Sequence, residues 1–201
     1  MIAKVLAAGG AKLMLTYASG AEDTGRIADE IAATRDRPAL SRYDVLTPSP
    51  GPEFRAFLAE ATHIYYLASP LIHKGDPRRR DEALLDQYRR FYVDGLATLL
   101  DQLRAHRERH MQLSVFIPSS VFLDGETRGF GEYIEAKKAA ESFARQYALD
   151  NPDTHFHAPR LPRLHTDQTS GVRGLDADDT LKVVIDTLRG IYGRSARPTD
   201  D

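Results

Sequence analysis

Short apolar runs alternate with amphipathic stretches along nearly the whole chain, and this alternation limits the fold more than any other feature. "MIAKVLAA" (1–8) is helical in period and ends at the helix-stopping pair Gly9–Gly10. "KLMLTY" (12–17) reads as a strand, and "AEDTGRIADEIAAT" (21–34) as a helix with Ile27 and Ile31 on its apolar stripe. "YDVL" (43–46) reads as a brief strand, followed by the turn residues "PSPGP", a helix "PEFRAFLAEA" (52–61) and a strand "HIYYLA" (63–68). The polar loop "SPLIHKGDPRRRD" leads to one long helix over 82–106 and a strand "LSVFIP" (113–118). A helix from Glu132 to Leu149, a strand "THFHAP" (154–159) and a helix over 176–192 complete the series. Strands regularly separated by amphipathic helices predict an α/β fold with a doubly wound, mostly parallel sheet and helices on both faces. One domain over 1–192 is expected, with a tail at 193–201.

With 201 residues, 42% hydrophobic and 28% charged, the chain can bury one proper core. Its formal net charge of -2, with both signs mixed, provides no field for nucleic acid or an anionic membrane. The absence of cysteine excludes disulfide and thiolate chemistry. No apolar run approaches the roughly 18 residues of a membrane span, and no secretory pattern opens the sequence, so a cytoplasmic protein is expected. His106 and His110 share a helix face without a third ligand, which reads as a solvated helix end, and no metal site is expected. The two histidines of "HFH" (155–157) alternate along a strand and face opposite sides. "RRR" (78–80) reads as a solvated loop, with an acidic partner surface or a phosphate as the alternative.

In sheets of this kind, ligands bind beyond the carboxyl ends of the strands. There the sequence places Ser120, just past the strand 113–118, and Thr166, beyond 154–159. On the next helix Tyr133 and Lys137 lie one turn apart on one face. A phenol with a pKa near 10 is a poor acid at neutral pH unless a neighbour stabilises its anion, and a lysine ammonium can do so. A serine hydroxyl facing them can bond a carbonyl oxygen that becomes negative during reduction. Tyr-x-x-x-Lys arises often by chance on helix surfaces. The position of Ser120 after a strand, the Gly-containing loop and the alternating fold give the spacing its weight.

On these residues the sequence resembles the short-chain dehydrogenase/reductases, and most of all the β-ketoacyl-carrier-protein reductase domains of fatty-acid and polyketide synthases. The likeness runs through "AAGGAKLMLTYAS", "RYDVLTPSPGPEFRAFLAE", "SVFIPSSV…GEYIEAKKAAE" and "RLHTDQT". It implies a Rossmann-like fold and NADPH-dependent reduction of a carrier-bound β-ketoacyl or small carbonyl substrate. Ser120 would orient the carbonyl, Tyr133 would donate the proton and Lys137 would bind the nicotinamide ribose. Asp44 would sit near the adenine, Ala68 and Ser69 near the ribose, and Thr166 at the carboxamide. No acidic residue ends the strand 12–17 to bind a ribose 2′-hydroxyl, which points to NADPH rather than NADH.

Several family features have no counterpart here. The first strand and its Gly-rich loop are absent, so the chain is a truncated form of the fold, and weak NADPH binding is expected. "LASP" (67–70) stands where the family has Asn-Ala-Gly, and Asp94 where it has the active-site asparagine. The absent strand lies mid-sheet in the family, which implies one of two outcomes: another polypeptide segment fills the gap, or the flanking strands pair directly. Large residues on 82–106 and 132–149 (Tyr88, Phe91, Tyr92, Phe143, Tyr147) imply a homo-oligomer through those helices. A degenerate domain with a structural or docking role in a synthase, and an extended short-chain enzyme acting on sugar nucleotides, are the alternatives.

Overall fold

A computed structural model describes residues 1–107, 111–125, 128–162, 164 and 177–195. Along the chain lie α1 (Ile2–Ala8), β1 (Met14–Tyr17), α2 (Ala21–Ala32), β2 (Ala39–Arg42), α3 (Pro52–Glu60) and β3 (His63–Tyr65). There follow α4 (Glu82–Arg89), a π-helical turn (Arg90–Asp94), α5 (Gly95–His106), β4 (Leu113–Phe116), β5 (Ser119–Ser120) and a 3₁₀ turn (Val121–Asp124). Finally come α6 (Gly131–Asp150), β6 (Thr154–His157), β7 (Arg160–Leu161) and α7 (Ala177–Ser195).

Every strand pair is parallel, as the alternation predicts: β1 with β2, β3 with β4, β4 with β6, and β5 with β7. The fold is α/β with helices on both faces. On one face α3 and α5 pack Phe54, Leu58, Leu96, Leu99, Leu100 and Leu103 against Tyr66, Leu113 and Val115. The α5 leucines recur at helical spacing, and each contributes roughly 1.5–3 kcal/mol on burial. On the other face α1 and α7 pack Leu6, Val184, Leu188 and Ile191 against Phe116. A third cluster joins α4 to α6 through Leu85, Tyr88, Tyr92, Tyr133, Ala136 and Ala140. The buried alanines of α6, Ala136, Ala140 and Ala144, are spaced by four residues, which gives the helix a slim face and lets it approach closely.

Three details depart from the sequence expectations. The strand expected at 43–46 lies earlier, at Ala39–Arg42. Asp44 ends it: its carboxylate accepts from Leu46 N at 2.9 Å and from Thr47 Oγ1 at 3.2 Å, folding the chain into a turn. The single helix expected over 82–106 is interrupted by the π-helical turn. At that turn the Tyr66 hydroxyl donates to Phe91 O at 2.6 Å, using a backbone carbonyl of the irregular turn. Gly95 is required there, since an added Cβ would stand 2.7 Å from Tyr66 Oη and 2.9 Å from Val45 Cβ.

The third detail concerns the sheet. The strands fall into separate ladders, β1–β2 and β3–β4–β6, with no pairing between β1 and β3 among the described residues. Direct closure of the gap, one of the two outcomes expected from the sequence, is not what the structure adopts. Assembly through the large rings on the helices also loses part of its basis. Tyr88 and Tyr92 are buried within the protomer, and Phe91, Phe143 and Tyr147 pack against its clusters.

Candidate active site

Ser120, Tyr133 and Lys137 come together. The chain leaves β4 through Ile117 and Pro118, and β5 presents Ser120 toward the first two turns of α6, where Tyr133 and Lys137 lie. A charged network fixes β5: Ser119 Oγ donates to Glu141 Oε1 at 2.6 Å, and Arg160 bridges Glu141 and Asp124. Ser120 Oγ also accepts from Phe122 N at 3.2 Å, which sets the serine at the start of the 3₁₀ turn.

All three side chains are shielded, with relative exposures of 8% for Ser120, 7% for Tyr133 and 8% for Lys137. Burial pushes the Tyr133 phenol above its ordinary value, and a hydrogen bond with the Ser120 hydroxyl pulls the other way. Burial also brings the Lys137 ammonium down to about 8. Nζ donates to Pro118 O at 2.7 Å and lies 3.9 Å from the centroid of the Tyr92 ring, against 5.7 Å from that of Tyr133. The one-turn spacing suggested that Lys137 would lower the Tyr133 pKa. Instead the ammonium is turned toward Pro118 and Tyr92, and desolvation dominates the phenol.

Aromatic rings wall the site. Tyr88, Tyr92 and Phe122 meet the Tyr133 ring edge-on at centroid distances of 5.8, 6.0 and 6.3 Å. The loop between β3 and α4 is tied to the same neighbourhood at several points. Ser69 Oγ and Tyr92 Oη are 2.7 Å apart, His73 N donates to Tyr88 Oη at 2.9 Å, and Gly75 N donates to Gly129 O at 2.7 Å. Gly129 has φ of 83°, a left-handed conformation suited to glycine, and an added Cβ would meet Lys74 Cγ at 2.7 Å.

The other residues expected to hold a dinucleotide fit it unevenly. Ser120, Tyr133 and Lys137 offer two hydroxyls and an ammonium in one place, which suits a carbonyl and a ribose. Ser69 is close by but bonded to Tyr92, and Ala68 is half-buried against the core. Asp44 does not fit, because both its oxygens are used in its own turn. Thr166 and His110 lie outside the described residues. Asp94, which the resemblance set against the active-site asparagine, ends the π-helical turn with its side chain exposed. Among the described residues no group of three or more His, Asp or Glu could hold a metal ion.

Sequence reasoning missed Tyr92 as a partner of Lys137, and the Pro118 carbonyl. The i, i+4 pair Tyr88 and Tyr92 was a usable signal, since it sets two stacked rings on one face, 6.0 Å apart. The irregular turn that aims Tyr92 at Lys137 left no such mark.

No family model matches the chain, and no curated protein matches it in sequence. Solved structures do. An alcohol dehydrogenase from the archaeon Thermococcus sibiricus, complexed with 5-hydroxy-NADP, superposes at TM-score 0.79 with 18% identity, covering 100% of this chain and 86% of that one. A short-chain dehydrogenase from Salmonella enterica serovar Typhi does so at TM-score 0.73 with 18% identity, covering 95% and 82%. An angucycline C-6 ketoreductase with bound NADP does so at TM-score 0.66 with 15% identity, covering 78% and 65%. The chain has the fold of the short-chain dehydrogenase/reductases.

Proposed function

We propose that the protein is an NADPH-dependent reductase of carbonyl compounds, acting on a β-ketoacyl group carried by an acyl-carrier protein or on a small carbonyl substrate. The observation that carries this reading is the convergence of Ser120, Tyr133 and Lys137 past the carboxyl end of β4. The NADP forms bound by two similar structures support the choice of cofactor. Bound NADPH would supply the hydride. Ser120 would hold the substrate oxygen, Tyr133 would release its proton to that oxygen as charge develops, and Lys137 would hold the nicotinamide ribose by hydrogen bonds. A phenol raised by burial keeps its proton until the oxygen becomes basic, which suits an acid that acts late.

The reading includes a cytoplasmic setting within fatty-acid or polyketide synthesis and a homo-oligomer paired through α4, α5 and α6. No described helix is long and apolar enough to cross a membrane. A single mass equal to one chain by light scattering would remove the oligomer from the proposal.

The test is NADPH oxidation with a β-ketoacyl thioester, comparing the native chain with Tyr133→Phe. Loss of turnover with an unchanged circular dichroism spectrum supports the assignment, and near-native turnover overturns it. A second reading, a catalytically degenerate domain with a structural or docking role in a synthase, is favoured by the enclosure of Tyr133 and Lys137 under aromatic rings. Thermal stability measured with and without NADPH separates the two, since only the reductase gains from the cofactor.

A further inference from the structure

The two ladders end in facing lips whose backbone groups have no partner among the described residues. On β1, Leu13 O and Tyr17 O accept from Ala39 N and Tyr43 N of the β2 side, so the odd-numbered residues bond β2. The alternation of a parallel ladder then turns the N–H and C=O of Met14 and Thr16 the other way. On β3, Thr62 O accepts from Ser114 N and Tyr66 N donates to Phe116 O, so the backbone groups of His63 and Tyr65 turn away from β4. Among the described residues nothing bonds these groups. Both lips contribute to the same two apolar layers: Met14 and Ile64 pack with the α3–α5 cluster, and Leu13 and Tyr65 with the α1–α7 cluster. Between covered faces the lips are nevertheless open. Thr16 is exposed and His63, Ile64 and Tyr65 are half-buried, whereas all of β4 is buried.

The geometry points to an acceptor slot between β1 and β3 for one extended, apolar polypeptide strand supplied from outside residues 1–201, since the residues of the chain beyond the described ones include no apolar run. Only a strand offers alternating donors and acceptors along both of its edges, and that is what two facing lips require. The occupant continues the parallel pattern of every existing pair, over about the four residues of β1. Because both faces of the slot are covered by helices, its side chains are apolar on both sides, with β-branched residues favoured and proline and charge excluded. This inference does not depend on the reductase reading, and its test involves no activity.

The test is residue-resolved hydrogen exchange on the 201-residue chain, with and without a synthetic peptide that has a Val-Ile-Val-Ile core flanked by lysines. The expected result is fast exchange at the amides of Met14, Thr16, His63 and Tyr65, slowed at least tenfold by saturating peptide at one peptide per chain. The same peptide N-methylated at alternate residues, which removes the donors along one edge, has no such effect. Protection of these amides without peptide would mean that β1 and β3 close on each other, and concentration-dependent protection would mean a second copy fills the slot; either overturns the proposal. Protection confined to Leu40 and Arg42, on the outer edge of β2, or no protection at saturation, overturns it as well.

Discussion

The Lys137 ammonium lies 3.9 Å from the centroid of the Tyr92 ring, and the hydroxyl of that tyrosine is 2.7 Å from Ser69 Oγ. One residue of the π-helical turn thus receives a buried cation on its face and ties down the loop after β3 with its tip. Among the described residues no carboxylate forms an ion pair with Lys137. Its near partners are the Tyr92 ring and the Pro118 carbonyl, with the Tyr133 ring farther off at 5.7 Å.

The first prediction separates the two roles of Tyr92. Tyr92→Phe keeps the ring and loses one hydrogen bond, a cost of about 1 kcal/mol. Tyr92→Leu also loses the cation–π contact and the ring contacts with Tyr88 and Tyr133, and is expected to cost about 2–4 kcal/mol. Urea denaturation measures both. Equal losses in the two variants would show that the ring face does nothing for Lys137.

Lys137 also sets a pH dependence. Its folded pKa, about 8, lies below its ordinary value of 10.5 because burial disfavours the charged form. Between those values the unfolded chain binds more protons than the folded one, so stability rises with pH from about 8 toward 10.5. The full difference amounts to about 3 kcal/mol. Tyr43, Tyr66, Tyr92 and Tyr133 are raised by burial and act in the opposite sense, but only above the ordinary tyrosine value near 10. Unfolding free energies at pH 7.5 and 9.5 are expected to differ in the native chain, and the part of that rise due to Lys137 to vanish in Lys137→Met. The α-amino group of Met1, also lowered by burial, stays in the variant and serves as its background. An unchanged slope in Lys137→Met would place the cation in water.

The alternation of strands and helices carried the fold class because a buried parallel strand such as Leu113–Phe116 is mostly apolar, with Ser114 its one polar residue, and a covering helix such as α5 needs its leucines at helical spacing. β2 was misplaced because "ALSR" lacks β-branched residues and Asp44 acts through its side chain, which no periodicity reports. Ser120, Tyr133 and Lys137 were legible because a strand end and one helical turn fix them locally. The aromatic wall was not legible, since it depends on the turn at Arg90–Asp94 and on how α4 packs across α6.

Gly95 supplies a third prediction. In an ordinary helix Gly→Ala stabilises by up to about 1 kcal/mol. Here the new methyl would press on the Tyr66 hydroxyl and on Val45, the former bonded to Phe91 O at 2.6 Å and unable to yield without losing that bond. Gly95→Ala is therefore expected to destabilise by about 1–3 kcal/mol. A thermal melt at or above the native midpoint would show that the turn relaxes without cost.

The last prediction concerns the loop that borders the site. Glu132, only 7% exposed, accepts from Asp81 N at 2.9 Å through Oε1, while Oε2 would stand 3.2 Å from a Cβ added at Gly75. Asp81 in turn caps α4 by accepting from Leu84 N at 3.1 Å. One buried carboxylate on α6 thereby holds both the loop and the start of the next helix. Removing it takes the acceptor from the N–H of Asp81, an exposed residue, at a cost of about 0.5–1.5 kcal/mol, and should loosen the exposed run Arg78–Arg80. Glu132→Ala is expected to be cut by trypsin in that run several times faster than the native chain. Glu132→Gln, whose side-chain carbonyl can still accept from Asp81 N, is expected to restore most of the resistance. Equal cleavage of all three proteins would show that the ties through His73 and Gly75 suffice to hold the loop, and that Glu132 contributes little to it.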